Sequence, residues 1–139
     1  MPYWSQITDN LYVGNIFAIT DKTLFETFKI THVISLVPNG PLKRLYPHVN
    51  IIEHFFEDIE TVNIIEHGEE LYPMMNNIIS LGGKILVHCN AGKSRSVGIV
   101  IYYLINKYNM KPSEAYEFVK KYKSEIALNS GFEKQLLSL

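Results

Sequence analysis

Between residues 84 and 105 the chain passes from a short apolar run, Lys84-Ile85-Leu86-Val87-His88, through Cys89-Asn90-Ala91-Gly92-Lys93-Ser94-Arg95-Ser96, into a longer apolar run that continues to Ile105. Apolar run, small-residue loop, apolar run reads as buried strand, tight loop, buried helix. Such a loop points several backbone N–H groups, and the positive end of a helix dipole, into one concavity. The result is an anion site. The only cysteine of the chain stands at its mouth, and one of only two arginines follows after five residues. A thiol beside N–H donors and a cation favours the thiolate, its nucleophilic form.

The same residues spell His-Cys-x5-Arg-Ser, as His88-Cys89, five residues, and Arg95-Ser96. The stretch resembles the phosphate-binding loop of the cysteine-dependent protein phosphatases, and Ala91-Gly92-x-Ser94-Arg95-Ser96 is most similar to the dual-specificity branch. The resemblance implies a role for each position. Cys89 attacks phosphorus and carries a phosphocysteine intermediate. Arg95 grips two phosphoryl oxygens with its planar fork, which lysine cannot imitate. Gly92 permits a positive φ or a close backbone approach. Ser96 hydrogen-bonds the sulfur and eases its departure, and Asn90, Ala91, Gly92, Lys93 and Ser94 line the phosphate together with Arg95.

Three other readings compete. A lone cysteine after a strand is ordinarily a small buried hydrophobe, but the arginine spacing and the strand–loop–helix context count against that. Gly92-Lys93-Ser94 imitates the end of a nucleotide-binding G-x-x-x-x-G-K-[ST] loop, which requires glycine where Val87 stands. One cysteine with one adjacent histidine is too small a ligand set for a metal.

A phosphate ester leaves as an alkoxide or phenoxide unless an acid protonates it. The chain has three aspartates, Asp9, Asp21 and Asp58. The resemblance places the acid about thirty residues before the cysteine, on a loop after a strand, and Asp58 matches; Glu57 and Glu60 are its rivals. His88 adjoins Cys89 but points to the other face of its strand, which suits a hydrogen-bonding prop. His32, His48, His54 and His67 show no spacing that suggests a metal site.

The flanking sequence predicts an α/β fold with a central, mostly parallel sheet flanked by helices. Residues 6–14 read as two short strands around Asp9-Asn10. Leu11-Tyr12-Val13-Gly14-Asn15 is similar to the opening strand of the dual-specificity phosphatases, in which the asparagine side chain helps tie down the phosphate loop. Asp21 caps a predicted helix through Phe28, 31–37 reads as an interior strand, and Pro38, Gly40, Pro41 and Pro47 mark a loop in which Lys43 and Arg44 are solvated charges or substrate contacts. A strand over 50–56 leads to a helix over 64–81, with a kink or delayed start at Pro73. Gly82-Gly83 hands over to strand 84–88. Pro112 opens a helix over 113–122 whose stripe includes Ala115, Phe118, Val119 and Tyr122. Lys120, Lys121 and Lys123 read as its wet face, with an acidic partner as the alternative. A last helix begins at Asn129 with Leu136 and Leu137 facing in. This ending resembles the family's Pro-Asn-x-x-Phe-x-x-Gln-Leu close, with Leu128 in place of the proline.

At 139 residues the chain predicts one domain over 1–139. A net charge of −1 gives no reason to expect nucleic acid or an anionic membrane as partner. No apolar run approaches the ~20 residues that span a bilayer, and no secretory signal or lipidation motif is visible, so no stable membrane association is expected. With a single cysteine no intrachain disulfide can form, which suits a reducing cytoplasmic or nuclear setting. The resemblance implies a phosphatase without metal or cofactor, acting on phosphotyrosine and phosphoserine/threonine of phosphoproteins. Lys93 keeps a phosphoinositide or other polyanionic substrate open, and a phospho-binding pseudophosphatase is the alternative from a different class.

Overall fold

In the computed structural model of the protein, residues 3–38 and 45–139 are described; Lys43 and Arg44 lie outside them. Strands β1 (Trp4–Thr8), β2 (Leu11–Gly14), β3 (His32–Ser35), β4 (Asn50–Glu53) and β5 (Ile85–His88) form one sheet in the order β1-β2-β5-β3-β4. Only the β1–β2 hairpin is antiparallel, turning at Asp9-Asn10 with a register shift between Gln6 and Thr8. The other pairings are parallel. β5 lies in the middle, paired on both edges and packed on both faces, so its residues are all buried.

Strand alternation divides the apolar residues between two cores. Leu11, Val13, Ile34, Ile85 and Val87 face the helices. Tyr12, Val33 and Leu86 face the opposite side, where Ala18, Ile19, Leu24 and Phe25 cover them. Among the described residues these helices follow: α1 (Ile64–Ser80), α2 (Arg95–Tyr108), α3 (Pro112–Tyr122) and α4 (Ser130–Leu137). Val97 to Leu104 is buried without a break, because α2 packs against the sheet, α1, α3 and α4 at once.

The structure departs from the sequence reading in places. Residues 21–28 do not form a regular helix; a 3-10 turn (Ile16–Thr20) precedes a single π-helical turn (Thr23–Thr27). So short a segment gains too few α-helical bonds to offset nucleation. Asp21 still acts as a cap, its Oδ1 accepting from the Thr23 N–H at 3.0 Å while Oδ2 accepts from Trp4 Nε1 at 2.7 Å. The strands predicted over 31–37 and 50–56 end at Ser35 and Glu53, where the ladder gives way to the segments that surround the Cys89 loop. α1 starts at Ile64, not after Pro73, and runs on as one element. Glu69, whose carbonyl has no N–H to accept from at position 73, and Pro73 itself are both exposed, so water can serve that carbonyl. Of the two leucines of α4, Leu136 faces in and Leu137 is 49% exposed, since adjacent helical positions diverge by about 100°. Tyr122, at the end of α3, is likewise exposed.

Candidate active site

β5 ends at His88, and the register aligns it with Gly14 of β2 on one side and Ser35 of β3 on the other. Alternation sends the His88 ring away from the helices, where Nε2 lies 2.8 Å from Ser35 Oγ and Nδ1 lies 3.3 Å from the Cys89 carbonyl oxygen. Its side chain is fully buried. Burial lowers its pKa below the usual histidine range, although the hydrogen bond to the Cys89 carbonyl opposes this. The proton therefore works against the fold: stability should be fully present above ~6.5, the ordinary histidine value, and should fall as pH drops below it. His32 and His67 are shifted in the same direction, so a comparison isolates the buried ring. A His88→Gln protein should be less stable at neutral pH yet show a shallower acid loss, measured by urea unfolding across pH 4.5–7.5 (about two units below and one above the ordinary value).

Cys89 is 2% exposed, the first residue beyond β5 and on the helical side of the sheet. Its Sγ lies 3.1 Å from Ser96 Oγ and accepts from the Gly92 N–H at 3.3 Å. The loop is anchored by its carbonyls. Asn90 O accepts from the Ile16 N–H at 3.1 Å, and Lys93 O accepts from the Ala127 N–H at 3.0 Å. Across a trans peptide, C=O and the next N–H point in opposite directions. Pulling these two carbonyls outward therefore turns the Ala91 and Ser94 N–H groups away from the anchors. Gly92 has φ +72°, and a Cβ there would stand 2.8 Å from the Asn15 nitrogen and 2.9 Å from the Gly14 carbonyl carbon. Both the backbone conformation and the close approach call for glycine. The 14–16 segment thus holds the loop through its main chain. The Asn15 side chain caps the 3-10 turn instead, accepting from the Phe17 N–H at 2.9 Å.

Arg95 opens α2, whose first N–H groups have no partner inside the helix. Its Nη1 donates to the Phe56 carbonyl at 3.1 Å, which fixes the guanidinium plane. Nε is buried and has no hydrogen-bond partner among the described residues. A buried guanidinium donor in this position calls for an anion.

Asp58 is exposed on the loop after β4, yet it is tied to the phosphate loop. Its Oδ1 accepts from Ser94 Oγ at 2.7 Å and from Asn129 Nδ2 at 2.9 Å, and the Asn129 N–H donates to Ser94 Oγ at 3.0 Å. The Ser94 hydroxyl is thus committed to this closed set. Glu60 is drawn off by Ser130 Oγ at 2.8 Å, with the Gly131 Cα packed so tightly on the Glu60 backbone that a Cβ would overlap it. Gln135 completes the support, donating to Val62 O at 3.0 Å and accepting from the Ile64 N–H at 2.8 Å. Glu57 lines an apolar cleft of about 570 Å³ beside Arg95, together with Leu36, Val37, Phe55, Phe56 and Ile59.

Three supporting residues carry no signal in the sequence: Ser35, Asn129 as an anchor of Asp58, and Lys123. The last reads in the sequence as part of a wet face, but α3 ends at Tyr122 and Lys123 has extended backbone. Its side chain joins Lys93, Ala91, Asn15 and Phe17 around a second cavity of about 260 Å³. Burial lowers its pKa, while Glu125 and the Cys89 sulfur act in the opposite sense.

A mostly parallel sheet whose central strand runs into a thiol-bearing loop, closed by an arginine at a helix start, defines a phosphate-loop protein of the α/β class. The comparisons carry this further. The family model described as dual specificity phosphatase, catalytic domain, matches residues 11–139. Dual specificity protein phosphatase 1 of Arabidopsis thaliana is 33% identical over 139 residues, covering 97% of this chain and 68% of that protein. Dual specificity protein phosphatase 1B of the same plant is 32% identical over 136 residues, covering 95% and 78%. A probable rhodanese domain-containing dual specificity protein phosphatase of Dictyostelium discoideum is 35% identical over 131 residues, or 94% of this chain, which spans only 27% of that longer protein. Among solved structures, human DUSP28 superimposes with a TM-score of 0.89 over 99% of this chain and 93% of its own, at 23% identity, a likeness of fold. DUSP15 gives 0.88 at 28% identity over 97% and 85%. The chain belongs to the dual-specificity phosphatase family and carries its cysteine-dependent catalytic domain. Among the described residues no helix is long and apolar enough to cross a membrane.

Proposed function

We propose that this domain removes phosphate from phosphotyrosine and phosphoserine/threonine side chains of proteins through a phosphocysteine at Cys89. The observation that carries the reading is the pairing of a thiol that faces two hydrogen-bonding groups with a buried Arg95 Nε that has no partner. The Cys89 thiolate attacks phosphorus, and the S–P bond forms as the ester P–O bond breaks. Asp58 gives its proton to the departing oxygen. Water then attacks phosphorus, its proton passing to the Asp58 carboxylate, and sulfur leaves as thiolate with the Ser96 hydroxyl as hydrogen-bond donor. Arg95 and the loop N–H groups hold the equatorial oxygens throughout. Cys89 and Arg95 stand at the two ends of one short loop and Asp58 is tied to it through Ser94, which argues for turnover over phosphate binding alone.

Rapid acid quenching during turnover of an aryl phosphate, with a metal chelator present, tests the reading. One phosphoryl group should be found on the Cys89 peptide. A phosphoryl group on another residue, or hydrolysis abolished by the chelator, contradicts it. Arg95→Lys keeps the charge and loses the fork, which matters most as charge spreads in the transition state. The expected loss is about 2.7–4 kcal/mol in kcat/KM, scaled from single oxyanion donors, and carried by kcat. A change confined to KM would reduce Arg95 to a binding group.

One observation favours a second reading. Lys93 and Lys123 flank the second cavity beside the loop; Glu125 also lines it, 3.8 Å from Lys93 Nζ, and the charge of the second lysine left over suits a substrate with a second anionic group, such as a phosphoinositide or other polyanionic phosphate. Comparing kcat/KM for a phosphopeptide and an inositol phospholipid headgroup in the Lys123→Ala protein separates the two. A loss confined to the headgroup supports the polyanion; an equal loss on both leaves phosphoproteins as the substrate.

A further inference from the structure

Away from the phosphate loop, the residue after β4 and the first turns of α1 bring together three ligating side chains from two different elements. His54 Nε2 is 2.8 Å from His67 Nδ1, and with a Glu70 carboxylate oxygen these atoms all lie within 4.8 Å of one another. Each group is held from a different direction. The His54 N–H donates to Ser35 O at 3.0 Å, prolonging the β4 edge. The His67 ring stacks on Phe56, with centroids 4.3 Å apart and planes at 12°. The two imidazoles stand nearly perpendicular, at 85°. Glu70 lies three residues beyond His67 on α1, hence on the same face.

We propose that His54 Nε2, His67 Nδ1 and a Glu70 oxygen form a binding site for a divalent transition cation, zinc above all, with water as the fourth ligand. Two imidazoles and one carboxylate suit zinc and its neighbours, whereas magnesium and calcium take oxygen ligands. At Zn–N distances of about 2.0–2.1 Å, tetrahedral geometry sets the ligand atoms about 3.3 Å apart. The two rings therefore need to part by about half an ångström, and the exposed Glu70 side chain swings in. Any proton shared between the two ring nitrogens gives way to the cation and passes to solvent. Glu66 also acts on His67, which adds negative charge around the cation. Both histidines are partly exposed, so an ion reaches the site without any opening of the fold.

The site is independent of the phosphatase chemistry but joined to it structurally. Phe56 packs on the His67 ring, and its carbonyl accepts from Arg95. A bound cation would therefore pin the segment that leads from β4 to Asp58.

Because the Cys89 thiolate is itself a ligand for soft cations, the test uses the full chain with Cys89→Ser. Zinc alone, titrated calorimetrically, should bind at one ion per chain and raise the Tm with increasing concentration. Cobalt should give the visible absorption of a four-coordinate site, and magnesium should give neither signal. Adding Glu70→Ala or His67→Ala should weaken zinc by ~10-fold or more, the least expected when a ligand is lost, since even outer partners of ligands cost 10–100-fold. His67 supports Phe56, so His67→Ala can disturb the fold; Glu70 is exposed, and Glu70→Ala then decides. No zinc bound by the Cys89→Ser protein, or zinc affinity unchanged by Glu70→Ala, overturns the proposal.

Discussion

Replacing Cys89 by serine should take turnover to background while leaving phosphate and vanadate bound. The two side chains are close in volume, and the position is tightly held in the core at 2% exposure, so the fold should tolerate the change. The proposed anion site rests on other parts: loop N–H groups set by the outward Asn90 and Lys93 carbonyls, the α2 N-terminus, and Arg95. None of these depends on sulfur. What is lost is the nucleophile, since a hydroxyl among the same neighbours does not ionise near neutral pH and the chain provides no histidine beside it as base. His88, the adjacent ring, is directed to Ser35 on the other face of the sheet. Steady-state assays with an aryl phosphate, paired with vanadate titration by calorimetry, give the result. Turnover within tenfold of the unmodified protein would exclude a covalent intermediate on sulfur, and loss of vanadate binding would show that the serine has disturbed the pocket itself.

The strand–loop–helix around Cys89 was legible in the sequence because everything that shapes it is local. β5, the loop and α2 are consecutive, and apolar burial on both sides leaves little choice of register. Asp58 was also singled out as a candidate acid, through its position before the cysteine. Its anchors were not, because Asn129 lies 71 residues further on and Ser94 36 further on, and only the packing of α4 against the loop brings them together. Lys123 was misplaced for a related reason. It stands one residue beyond the predicted helix over 113–122, and grouping it with Lys120 and Lys121 as a wet face overlooks that the extended chain there turns toward the phosphate loop. Asn15 shows a different limit: the resemblance gave its side chain the task of tying down the loop, but that side chain accepts from the Phe17 N–H, and the contacts to the loop come from the backbone around it, which no side-chain pattern reports. The His54–His67 contact was invisible because its two parts sit on different elements, 13 residues apart.

Asp58→Asn should slow substrates with poor leaving groups by ~10²–10⁴ and good ones far less, since acid catalysis is needed in proportion to the basicity of the departing oxygen. The substitution keeps an oxygen that can accept from Ser94 and Asn129, so the closed set around the loop should survive and the loss should report proton transfer. Phosphotyrosine peptides and alkyl phosphates fall in the first group; nitrophenyl and methylumbelliferyl phosphates, which leave as stable anions, fall in the second. The basic limb of the pH–rate profile should flatten in the same protein. The two rival carboxylates are placed differently. Glu60 is engaged by Ser130 at the start of α4, and Glu57 borders the apolar cleft beside Arg95, so neither shares the tether to Ser94. Glu60→Gln and Glu57→Gln should therefore leave the leaving-group dependence intact. A matched pH–rate series of the three proteins on one good and one poor leaving group decides the assignment. If the dependence appears with Glu57→Gln or Glu60→Gln and not with Asp58→Asn, the acid is that glutamate, and the Ser94–Asn129 set only positions the loop.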